Sequence, residues 1–139
     1  MLVLSKDSTD DEILNAIRHF VELLAEEKYS EVYEKFLPAP DRQLTPEVIK
    51  ALIEGYGFAE PVEENDEPPL HVTSLCQMTE PEPKGRQQVD WFSAKDERIL
   101  GGAYYDLPLN GEWSDLTAIF DIIKVPDGIA LSLDDIHVL

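Results

Sequence analysis

The spacing of apolar residues changes partway along the chain, and no other feature constrains its fold as much. Up to Tyr56 they return every three or four positions, the period of an α-helix. From Gln87 onward they alternate, the period of a strand. A chain that is helical first and stranded second folds as α+β, its helices packed on one face of a curved sheet.

The helical half divides into three. Ser8 or Thr9 caps a helix over residues 10–28, with Asp11 or Glu12 as the return half of a capping box. Ile13, Leu14, Ile17, Phe20, Val21 and Leu24 form its apolar stripe. A short helix over residues 30–37 ends at Pro38-Ala39-Pro40. Thr45-Pro46-Glu47 then supplies a cap, a first-turn proline and a first-turn acid for a third helix ending at Gly55 or Gly57.

The stranded half has four candidates, residues 87–93, 99–107, 113–123 and 128–138. Asn110-Gly111 and Pro126-Asp127-Gly128 are tight turns, so neighbouring strands are expected to be antiparallel. Gly101-Gly102 inside a strand reads as a bulge, or as close packing against a helix. Between the halves, residues 60–69 and 79–85 are rich in Glu and Pro and read as solvated loops. Residues 71–78 between them read as a strand with Val72, Cys76 and Met78 inward. Neither flank of the first loop has a full core of its own, so residues 1–139 are expected to form one domain.

Charge bounds the partners. Eleven Lys and Arg stand against 29 Asp and Glu, a net −18, with eight acids and no Lys or Arg over residues 51–83. Such a field repels phosphate backbones and argues against nucleic acid. It serves solubility, and it also attracts a basic protein. No apolar run nears the roughly 20 residues a membrane helix needs. The start, Met1 to Asp7, lacks a basic region and a long apolar stretch, so no secretory signal is expected. A lone Cys76 excludes an internal disulfide and fits the reducing cytoplasm.

Alternation sorts the strand side chains. Val89, Trp91, Ala103, Tyr105, Leu107, Leu116, Ala118, Phe120 and Ile122 are expected inward. Asp90, Asp106, Asp115, Thr117 and Asp121 are expected outward, beside Phe92, Tyr104, Trp113, Ile119 and Ile123. Those five large groups make an outer face suited to a second subunit or partner. In the last strand Asp135 and His137 share the parity of Ile129, Leu131 and Leu133. Either they enter the interior as a general base and its orienting carboxylate, or a bulge turns Ile136 and Val138 inward instead.

Other chemistry has no motif. There is no glycine-rich phosphate loop, no nucleophile elbow, no calcium-loop spacing and no His/Cys spacing for zinc, so neither cofactor nor metal is expected.

The element order over residues 10–28, 30–37, 45–56 and the later strands resembles the nuclear-transport-factor-2-like superfamily. The resemblance implies a cystatin-like cone fold: a long helix, two shorter ones and a bent antiparallel sheet. The segments Leu107-Pro108-Leu109-Asn110-Gly111-Glu112-Trp113-Ser114-Asp115-Leu116-Thr117 and Leu133-Asp134-Asp135-Ile136-His137-Val138 are similar to a small uncharacterised bacterial family. The superfamily implies a pocket inside the cone and dimers packed through the sheet. Its enzymes, such as ketosteroid isomerases and scytalone dehydratase, use pocket Asp, Tyr or His, while other members only bind, and some similar folds are immunity proteins.

The leading expectation is a non-enzymatic binding or accessory protein, a homodimer through Phe92, Tyr104, Trp113, Ile119 and Ile123. Two alternatives stand beside it. One is a small-molecule enzyme or ligand binder, with Asp135 and His137 as acid–base pair and Trp91 and Tyr105 lining the pocket. The other is an acidic immunity-type inhibitor of a basic toxin.

Overall fold

The computed structural model describes residues 1–57 and 69–138. After a two-residue strand β1 (Val3–Leu4) come three helices, α1 (Asp10–Ala25), α2 (Tyr29–Lys35) and α3 (Pro46–Glu54). Strands β2 (Gln88–Trp91), β3 (Ile99–Leu109), β4 (Glu112–Val125) and β5 (Gly128–Val138) follow. All five strands form one antiparallel sheet in the order β1-β5-β4-β3-β2. The fold is α+β, with the helices on one face of a curved, unclosed sheet.

The expected caps form. Glu12 N donates to Thr9 Oγ1 at 3.2 Å, and Thr9 N donates back to the Glu12 carboxylate at 3.4 Å. Val48 N donates to Thr45 Oγ1 at 3.2 Å, with Pro46 at the first helical position. Helix α1 stops at Ala25, three residues before the expected end at residue 28, and Glu27 takes the left-handed φ of 58°. Asn110 (φ 48°) and Gly111 (φ 84°) make the turn between β3 and β4.

Ile13, Ile17, Phe20, Val21 and Leu24 of α1 are buried against Ala103, Tyr105, Leu116, Ala118, Phe120 and Ile122. Phe20, Phe36 and Phe120 meet edge to face, with centroids 5.0 to 6.0 Å apart. Each such side chain contributes about 1.5–3 kcal/mol by leaving water. The helix-facing side of the sheet is therefore packed with side chains at its centre.

Three irregularities shape the sheet. On β3, Leu100 is an extra residue between the pairs Ile99↔Ile123 and Gly101↔Ile122, a bulge one residue before the expected Gly101-Gly102. A Cβ on Gly101 would collide with the Asp90 carbonyl oxygen, so only glycine fits there. On β5, Leu133 pairs with Phe120 and Asp135 with Ile119, leaving Asp134 as the extra residue. The ladder also slips between Asp106↔Thr117 and Pro108↔Trp113.

The strand expected at residues 71–78 does not form. Val72 makes one isolated bridge to Leu109, and Leu75–Gln77 is a 3-10 turn. The reason is capture by α1: Glu22 accepts from Ser74 Oγ and from Leu75 N, both at 2.8 Å. Val72 is buried as expected, but Cys76 is exposed. The loop expected over residues 60–69 falls, but for Pro69, outside the described residues. No helix among the described residues is long and apolar enough to cross a membrane.

Candidate functional site

The outer face of the sheet, away from the helices, carries the best-built polar site. Strand pairing sets its rows. Gln88, Tyr104, Ile119 and Asp135 lie side by side across four strands, and Asp106, Thr117 and His137 form the next row. At its centre Asp106, expected in water, is only 3% exposed. Arg86 reaches it from the loop before β2, with Nε 2.6 Å from Oδ2 and Nη2 3.4 Å from Oδ1. Thr117 donates its hydroxyl to Oδ1 at 2.7 Å and is itself 1% exposed. A buried carboxylate is stable when paired and hydrogen-bonded in this way. Above it opens a cavity of about 230 Å³ lined by Arg86, Gln88, Asp90, Tyr104, Asp106 and Thr117.

Apolar groups border the site. Phe92 is 48% exposed, and Tyr104, Ile119 and Ile123 are half-buried. Phe92 and the Tyr104 hydroxyl both stand over Gly102, whose missing side chain leaves them room. Four of the five expected interface residues thus share the outer face.

Trp113 does not join them. Its ring lies 6.4 Å from that of the inward-facing Tyr105, and Nε1 donates to the Glu80 carbonyl at 3.0 Å. Trp91 has the expected parity, since Nε1 donates to Asp10 Oδ1 of α1 at 2.8 Å. It lies on the short edge strand, however, where little covers it, and is 46% exposed. Tyr105 faces inward and is fully buried. It is packed rather than lining an open pocket, and its hydroxyl donates to Glu82, which Arg18 of α1 grips at 2.8 and 3.0 Å. Burial, and then the Glu82 carboxylate, push the Tyr105 phenol well above its ordinary range. The Arg18 guanidinium holds Glu82 below the usual glutamate value.

Asp135 and His137 come together, with Nδ1 2.6 Å from Oδ2. The Asp134 bulge turns them outward and buries Ile136 in their place, so the pair is not in the interior. Their side chains are 44% and 42% exposed. Asp134 itself reaches Arg42 at 2.8 Å. Asp121, one row further, has its pKa raised by burial and by the charge of Asp134.

Alternation alone missed Arg86 and Glu82, which lie in a loop with no period. The available signal was their residue type: Arg18 and Arg86 are cations among many acids, and each ends on a carboxylate. No protein family, curated protein or solved structure matches the chain.

Proposed function

We propose that the chain is a non-enzymatic binding protein that works through the outer face of its sheet, and that its partner is a basic protein. One observation carries this reading. The same face presents an apolar row, Phe92, Tyr104, Ile119 and Ile123, among the carboxylates Asp90, Asp121 and Asp135. Apolar anchors within a charged surround are the anatomy of a recognition surface. The sign of the surround selects cations, and the net charge of −18 speeds their approach.

Binding is favoured over chemistry because Asp106 has its oxygens occupied by Arg86 and Thr117, leaving it poorly placed to act as a base. The centre of the helix-facing side, where a cone enzyme keeps its pocket, is filled by Phe20, Phe36, Tyr105 and Phe120. The order of helices and meander supports a nuclear-transport-factor-2-like reading, in which the sheet face is the interaction surface. Inhibition of a basic toxin is one role of this kind. A homodimer through the same face is the competing arrangement, and it would set the acids of each copy near those of the other.

Selection from a displayed library of random peptides, followed by light scattering of the free protein, tests the proposal. Selected binders should be rich in Lys and Arg beside apolar residues. Their affinity should fall at least tenfold at high salt and in Ile119→Arg, with the free protein monomeric. Binders without basic character, binders indifferent to Ile119→Arg, or a stable dimer lost in Ile119→Arg would overturn it.

A further inference from the structure

Away from the sheet face, three segments distant in sequence bring together two carboxylates and an imidazole. Glu27 follows α1, Glu54 ends α3, and His71 begins the segment leading to the 3-10 turn. One ligand atom from each lies within 4.8 Å of the other two. His71 Nδ1 and Glu27 Oε1 are 3.3 Å apart. Two ligands each about 2.1 Å from a tetrahedral ion stand about 3.4 Å apart, so this pair already spans an edge of such a site.

The backbones that carry these groups are pinned. His71 N donates to Asn110 Oδ1 at 3.0 Å, and His71 O accepts from Asn110 N at 3.0 Å, tying the residue to the β3–β4 turn. Glu27 N donates to the Leu24 carbonyl at 3.0 Å in the turn that closes α1. The nearby charge is poorly balanced. Against the two carboxylates the near cation is Lys50, 3.8 Å from Glu54. Like carboxylates held at this distance repel unless a cation joins them.

We propose that Glu27, Glu54 and His71 form a binding site for one first-row divalent metal ion, with zinc the best match to an imidazole and two carboxylates. A nitrogen ligand disfavours magnesium and calcium, which take oxygen. Three protein ligands leave a fourth position for water. The residues are about half exposed or less, so the ion enters without the fold opening. The site is independent of the outer sheet face.

The test is calorimetric titration of chelator-treated protein with zinc chloride. One equivalent per chain should bind with a dissociation constant below about 10 μM, and about 1 mM magnesium should not displace it. Glu27→Gln, Glu54→Gln and His71→Ala should each weaken binding at least tenfold, while Cys76→Ser leaves it unchanged. Zinc should raise the melting temperature of the parent protein and not that of the variants. Should His71→Ala fail to fold, the isosteric Glu54→Gln reads the same loss. Absence of stoichiometric binding, displacement by magnesium, retention of affinity in the glutamine variants, or loss in Cys76→Ser would overturn the proposal.

Discussion

At the scale of single residues, the informative groups are the carboxylates that left water. Asp106 is buried on a sheet face that alternation assigns to solvent, because Arg86 folds over it and Thr117 donates to it. Asp106→Ala leaves both partners unmatched and should lower stability by about 2 kcal/mol in urea unfolding. Asp121 behaves oppositely. Its pKa is raised on folding, so the folded state binds the proton more tightly and this group opposes folding once pH rises above its ordinary value of 3.8. Asp121→Asn should therefore stabilise the protein slightly at neutral pH, solvent screening keeping the effect small, and the gain should vanish in acid. Glu82 has the reverse sign. Its lowered value means that the stability it shares with Arg18 is present above the ordinary 4.5 and is lost as pH falls below it.

At the scale of elements, the sheet's irregularities decide which groups meet. Had β5 been regular, Asp135 and His137 would have joined Leu133 in the core. The extra residue Asp134 reverses their facing and lets Ile136 be buried. Desolvating a carboxylate and an imidazole costs several kcal/mol, whereas burying Ile136 contributes about 2. Deleting Asp134 removes the bulge without changing which side Ile136 faces. The shortened protein should fold, with a loss of about 1 kcal/mol from the half-exposed Arg42 pair, as thermal unfolding would show. Gly101→Ala is the contrasting change. Its Cβ would strike the Asp90 carbonyl, and β2 should detach at a cost of about 2 kcal/mol or more, visible as faster amide exchange over Gln88–Trp91.

At the scale of the whole molecule, 29 acids against 11 bases make self-repulsion a standing cost. Moderate salt should raise the melting temperature by a few degrees by screening that repulsion, while the same salt weakens capture of a basic partner. Opposite responses of folding and binding to one variable separate the two roles of the charge.

Much of this architecture was legible in the chain. The caps at Thr9 and Thr45, the stripe on α1, the Asn110-Gly111 turn and the inward set of β4 follow from local chemistry and period, which tertiary contacts here reinforce. The outward placement of Phe92, Tyr104, Ile119 and Ile123 followed from the same alternation. What local pattern left undecided was every feature depending on a partner distant in sequence. Glu22 drew residues 74 and 75 out of a strand, Tyr105 and the Glu80 carbonyl took up Trp113, and the edge position left Trp91 exposed. Arg86 on Asp106 and the meeting of Glu27, Glu54 and His71 are of the same kind. The elements, their order and the face each apolar residue seeks are local properties of the chain, because they depend on neighbours a few positions away. Which charges are buried and which polar groups converge was settled by long-range packing, because an irregular loop has no period and one extra residue in a strand reverses all that follow it.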